Sequence, residues 1–329
     1  MLSRGDFQSF ARILQFTSIV SCTLVIIGSR WLRHRKIQRD YQFIVMFNAC
    51  VDLAFACCLC VFSFTPMLVD HMFLITVERS YFQWMSSQST AFIVQIMTAQ
   101  VETTILCIAV HFWYRYDVVC NSKHWSHKKY LLRYLSLFSI IFIYFVASQF
   151  AVEDMKDYKE VLQRLDDYKN DTPVFCVYDL NHLPSVLSIT FYQFIHSAFY
   201  CIAIYFGIKV IRQIRLVDPT VQRSLHAQRY MIRVLVLQAL YPMFLLSLPA
   251  SLMIIIAYFG YTTISWFYVL SILLQSLPLL NSLSVIFLVP AFRRLFTGQP
   301  INPTRTVSNK PYGDSTTRSK SRVRSPPYS

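Results

Sequence analysis

Seven long apolar runs and a one-sided distribution of basic residues predict an all-α membrane protein: a seven-transmembrane-helix bundle with its N-terminus outside and its C-terminus cytosolic. The runs lie at 13–29, 42–68, 88–111, 134–151, 185–208, 234–259 and 264–290. Each approaches or exceeds the roughly 20 apolar residues that a helix needs to cross a bilayer. Segments 30–40, 112–133, 209–233 and 291–329 hold 24 of the 31 Lys and Arg residues, and the alternating segments 1–12, 70–87, 152–183 and 260–263 hold the other seven. The richly basic side stays in the cytosol. Only 15% of the chain is charged, against about 25% in a soluble domain. The net charge of +14 flanks apolar runs where anionic lipid attracts it, which argues against a nucleic-acid partner.

The elements follow in order. Residues 1–12 form a short outer N-terminus. Arg4 and Arg12 precede the first run, but Arg30, Arg33, Arg35, Lys36 and Arg39 follow it, so it reads as an uncleaved signal-anchor. The second run carries Asp52 and the third Glu102, the two carboxylates at membrane depth, with no Lys or Arg at similar depth. A carboxylate there must be protonated, hydrogen-bonded or bound to a cation. Two readings stand: a polar core that changes state during switching, or groups that join helices. After the fourth run comes the one long connection, 152–183, with eight acids and four bases. Met155, Tyr158, Leu162, Leu165 and Tyr168 recur there at spacings of three and four, which predicts a short amphipathic helix, either extending the fourth span or lying across the mouth of the bundle. Asn170-Asp171-Thr172 is a glycosylation sequon in that loop. Cys176 is its sole cysteine, without an evident outer partner.

The fifth run carries Tyr192, Gln193 and His196, and the seventh Trp266 near its start, Gln275, Pro278 and Asn281. Gln95, Glu102, Tyr192, His196, Trp266 and Gln275, with Phe92, are the candidate lining of an aromatic ligand pocket; interhelical packing is the alternative for each. Pro242 and Pro249 bend the sixth helix, as a static kink or as a hinge. Residues 13–296 read as one seven-helix domain. Beyond them, 297–329 hold eleven Ser or Thr and six Lys or Arg, a cytosolic tail too polar to order itself.

Cys120, His124 and His127 lack a fourth ligand at zinc spacing. No nucleophile sits with its base, so neither enzyme activity nor a metal or other cofactor is expected. Transport or a ligand-gated channel remains the alternative, disfavoured by the lack of repeats.

The third run closes with His111-Phe112-Trp113-Tyr114-Arg115-Tyr116. Later come His226-Ala227-Gln228-Arg229, Gln238-Ala239-Leu240-Tyr241-Pro242, Leu248-Pro249, Asn281-Ser282-Leu283 and Val289-Pro290-Ala291-Phe292-Arg293-Arg294. In this order and spacing they resemble the nematode serpentine chemoreceptors of the Str superfamily, best over about 105–296. The resemblance implies a G-protein-coupled chemosensory receptor, multi-pass in the plasma membrane of a sensory neuron or its cilium. Its partners are then a heterotrimeric G protein, a small-molecule ligand and membrane lipids; pairing with itself or another receptor is left open. It also implies coupling or switch roles for Arg115, Tyr114, Tyr116, Asp52, Asn281 and Pro242. Three departures from the rhodopsin-like pattern matter: Tyr114 replaces the acid before Arg115, Ser282 replaces the proline after Asn281, and no acid near the sixth span can lock Arg115. From its chemistry alone, Arg115 is either a donor to a cytosolic partner's carbonyls or an interfacial anchor.

Overall fold

A computed structural model of the protein describes residues 3–34, 39–169, 171–216, 222–258 and 267–297. Each of the seven apolar runs contributes helix among the described residues. The helices are α1 (Arg4–His34), α2 (Arg39–Phe62), α3 (Ser87–Cys120), α4 (His127–Ser148), the short α5 (Lys159–Gln163) of the long loop, and α6 (Leu183–Leu216). The sixth span is α7 (Gln222–Pro242) and α8 (Leu248–Tyr258) joined by a π-helical turn, Met243–Ser247. The seventh is α9 (Phe267–Gln275) and α10 (Leu277–Leu288), bent by 40° at Ser276. A last helix, α11 (Pro290–Thr297), follows. Among the described residues five helices are long and apolar enough to cross a membrane singly, and the bent α9–α10 pair makes a sixth span. In the remaining span the apolar part of the described helix is shorter, Ile232–Leu245.

Helix α3 is the axis of the bundle. Its 34 residues rise about 50 Å at 1.5 Å each, and it packs against α2, α4, α6 and α7. It is buried over most of its length, whereas α4 buries little and lies at the rim. Lipid offers no hydrophobic drive for helix association, so close packing and interhelical hydrogen bonds hold such a bundle together. Gly28 shows the tolerance: a Cβ there would meet the fully buried Phe292 ring of α11 at 2.9 Å. A larger residue at 28 therefore displaces α11.

Two expectations need correction. The second apolar run, placed at 42–68, is not one helix: α2 stops at Phe62, Ser63 turns the chain at φ 41°, and Phe64–Val69 is a strand, β1. The long loop 152–183 is likewise more than an amphipathic helix. Its Met155–Tyr158 and Asp166–Tyr168 are 3₁₀ turns flanking α5, and Val174–Asp179 is a strand, β3. With Met72–Val77, β2, these strands form an antiparallel sheet in the order β1-β2-β3. Asp70 and His71, both at positive φ, make the two-residue turn of the β1–β2 hairpin, a geometry that suits the strand twist. The hairpin pairs Phe64 with Val77 through Val69 with Met72, and β3 continues from Met72–Asp179 to Val77–Val174.

This sheet is a cap on the end of the bundle where α1 begins. One layer of its side chains, among them Phe64, Ile75, Val77 and Tyr178, packs on α3 and α6 neighbours. The other, including Met67, Leu74 and Phe175, is covered by Leu162, Leu165 and Tyr168 of the loop. The predicted stripe thus does its packing on a sheet.

Glu78, at the end of β2, locks the cap to α1. Its buried carboxylate accepts from Arg4 Nε at 2.9 Å, Tyr168 hydroxyl at 2.9 Å and Thr76 hydroxyl at 2.6 Å. Burial, then the adjacent Glu78 charge, hold the Tyr168 phenol well above its ordinary pKa, so it stays a donor. Tyr268 of α9 donates to Asp167 Oδ2 at 2.9 Å and bonds to the Tyr168 hydroxyl, bringing the seventh span into the same network.

Removing one partner of a buried pair strands the other charge. Arg4→Ala is expected to destabilise the protein by about 2–4 kcal/mol, and Arg4→Ala/Glu78→Gln by less than Arg4→Ala alone; thermal melting in detergent checks both, and a double variant no better than the single contradicts the pairing. At the cap surface, hydrogen bonding and then the charge of Glu153, 2.7 Å away, raise the His182 pKa. The charged pair is fully present below the ordinary imidazole pKa of about 6.5 and is lost as pH rises through the raised value. Amide exchange in 152–183 should therefore quicken across that window, and His182→Gln should flatten the change.

Candidate functional site

Three polar centres are strung along α3. The first lies beneath the cap. Gln95 is buried and its amide donates to the Tyr178 hydroxyl of β3. Two helical turns deeper, about 10 Å along the axis, Glu102 is 1% exposed. Its Oε1 lies 2.7 Å from Nδ1 of His196 on α6, and His196 Nε2 lies 2.5 Å from Ser247 Oγ. Ser247 ends the π-helical turn and donates to the carbonyl of Pro242 at 3.2 Å. One hydrogen-bonded chain therefore joins mid-α3, α6 and the break in the sixth span. Ser247 has a single hydroxyl proton, given either to Pro242 or to His196. Tyr144, Tyr192 and Tyr200 surround the pair: Tyr192 and Tyr200 stand 5.9 and 5.3 Å from the His196 ring, and Tyr144 stands 5.8 Å from Tyr192.

The second centre joins α2 to the seventh span. Asn281 Nδ2 donates to Asp52 Oδ1 at 3.2 Å, Gln238 donates to the Asn281 carbonyl at 3.4 Å, and Ser282 lies 3.0 Å from the Cys22 thiol of α1. Asp52, Asn281, Gln238, His111 and Arg115 border a narrow cavity that leaves about 20 Å³ for the centre of a water molecule, room for a water or two and too little for an organic ligand.

The third centre closes α3. Arg115 is not an open donor at the bundle mouth: it is only 6% exposed, with its guanidinium 5.1 Å from the Tyr41 ring of α2 and 5.7 Å from Tyr114. Tyr114 is buried beside it, while Tyr116 points away toward Phe206 and Lys209. The acid missing before Arg115 has a counterpart two residues after it. Asp117 accepts from Asn121 at 2.9 Å, Trp125 at 2.8 Å and Arg133 at 3.3 Å, with Arg133 about 4 Å from both Trp113 and Trp125. These bonds fix the α3–α4 loop.

The structure brings Glu102, His196 and Tyr192 together, places Gln95 above them, and separately joins Asp52 to Asn281. It does not bring Gln275 to that pocket: Gln275 accepts from Gln15 of α1 at 2.7 Å, and Gln15 accepts from Arg79 below the cap. Phe92 is also misplaced, half exposed on the outer face against Phe145. Both corrections follow from helical rotation, which depth alone does not fix. Trp266 and Asn170 lie outside the described residues. Ser247 and Tyr41 join these centres without any mark in the sequence, whereas Asp117 stands there as the single acid between Glu102 and Glu153.

A profile described as serpentine type 7TM GPCR chemoreceptor Str matches residues 7–297. No curated protein matches the chain. Among solved structures, a crystal structure of squid rhodopsin is similar with a TM-score of 0.63 and 12% sequence identity, over 89% of this chain and 84% of that one. At that identity the likeness speaks for the fold alone.

Asp52→Ala removes the acceptor of the Asn281 amide, whose own Oδ1 is already without a partner. The expected cost is about 1–3 kcal/mol, read as a lower melting midpoint, with Asp52→Asn closer to wild type. Equal midpoints for Asp52→Ala and wild type would show the contact to be idle.

Proposed function

From the premise that the chain belongs to the Str family of serpentine seven-transmembrane chemoreceptors, we propose that it is a G-protein-coupled chemosensory receptor that binds a small organic ligand beneath the cap and signals by a change in helix packing. Membership makes it a multi-pass membrane protein of receptor type. The one observation that supports the signalling step is the chain from Glu102 through His196 and Ser247 to the Pro242 carbonyl. It runs from the region under the cap to a π-helical turn in the sixth span, a place where helices break and rearrange. A ligand that prefers one arrangement of this chain shifts the population toward it.

In this reading the sheet end faces outside and the basic end faces the cytosol, at the plasma membrane. Gln95, Glu102, Tyr192 and His196 belong to the ligand region, and Trp266 is proposed as a further ligand residue. Asp52 and Asn281 transmit packing changes between α2 and the seventh span. Arg115, held under Tyr41 with Tyr114 beside it, is released toward the G protein when Pro242 bends the sixth helix outward; Tyr116 steadies α3 against α6. The proposed glycan on Asn170 sits on the outer loop, and 297–329 is the cytosolic tail.

Arg115→Ala is expected to abolish ligand-evoked nucleotide exchange on the G protein while surface expression persists. Retained exchange removes Arg115 from the coupling step. A tag at residue 2 should be labelled on intact cells and a tag at 329 only after permeabilisation; the opposite pattern overturns the orientation.

A further inference from the structure

The polar groups under the cap state what chemistry they lack. Glu102 Oε2 is buried and has no hydrogen-bond partner, and neither has Gln95 Oε1 on the same helix. A carboxylate oxygen and an amide carbonyl only accept. Both therefore call for a donor. They lie seven residues apart, two turns of one helix face. None of the 31 Lys and Arg residues falls within the seven apolar runs, so the neighbour that can balance Glu102 is His196, which engages the other oxygen. The Tyr192 hydroxyl lies toward the same carboxylate but short of hydrogen-bond distance to Oε2, and Tyr144 and Tyr200 lie within electrostatic reach of Glu102; aromatic rings attract a cation.

On the reading that this region is the ligand site, we infer that the ligand is a small protonated amine, its ammonium donating to Glu102 Oε2 between the tyrosine rings. A carboxylic acid is repelled by Glu102. An alcohol donates one hydrogen bond and leaves the charge unmatched. The ammonium does both.

The same geometry connects occupancy to the helix break: an ammonium on Glu102 Oε2 shares the carboxylate with His196, whose other nitrogen meets Ser247 and through it the Pro242 carbonyl.

The test uses the purified full-length receptor in lipid nanodiscs and three probes of one shape: cyclohexylamine, cyclohexanol and cyclohexanecarboxylic acid at equal concentration. Cyclohexylamine is expected to raise the melting midpoint of the wild type, the other two to leave it unmoved, and Glu102→Gln, which keeps the hydrogen bond to His196, to lose the shift. Tyr192→Leu keeps the carboxylate and removes one ring face; it should weaken the apparent amine affinity about tenfold. An equal shift with cyclohexanol, an amine shift that survives Glu102→Gln, or no amine shift in the wild type overturns the inference. Melting reads binding without a G protein, so failure here is separable from failure of the receptor reading. Nucleotide exchange evoked by neutral or acidic compounds, with no amine binding, sinks the amine alone. An amine shift without exchange supports the site and counts against signalling.

Discussion

Glu102 and His196, 2.7 Å apart in the middle of the bundle, set the terms for the architecture around them. In a membrane interior neither group can turn to water, and a buried charge must find its partner in protein. That need fixes the rotation of α3 against α6, because both side chains must face inward at one depth. The same rotation points Gln95 at the sheet and Arg115 at α2. His196 has a second nitrogen, and its contact with Ser247 carries the constraint into the sixth span. Pro242 breaks the regular ladder there, and the π-helical turn sets the Ser247 hydroxyl beside the Pro242 carbonyl.

The cap obeys the same rule by a different route. A sheet over a helix bundle must satisfy two faces, and this one sits between the helices below and the loop above. Its anchor is an ion pair, Arg4–Glu78, stiffened by Tyr168 and Thr76. Since Tyr268 joins that cluster from α9 and Arg79 reaches Gln275 through Gln15, the cap and the upper half of the seventh span share their polar contacts.

How much of this was legible in the amino-acid order depends on the physics behind each feature. Apolar length and basic flanks report the cost of moving polar groups into lipid, so the seven spans could be read directly. The β1 strand could not, because a strand covered on both faces is as apolar as a membrane helix; residues 64–68 simply extended the second run. Asp52 and Glu102 stood out as costly residues, yet their partners Asn281 and His196 lie 229 and 94 positions away, a distance no local pattern spans. For Gln275 and Phe92 the depth along the span is legible and the face each presents is not. Arg115 was recognisable by its neighbours, while its cover, Tyr41, follows only from how α2 leans on α3.

The double covering of the sheet has a kinetic consequence. A ligand in the proposed site below it would leave only as fast as the cap opens or the helices part, whichever is quicker. Residence time is then set by contacts such as Arg4–Glu78, which never touch the occupant, and affinity and persistence become separately adjustable. A chemoreceptor built this way can recognise its ligand through one group of residues and time its forgetting through another.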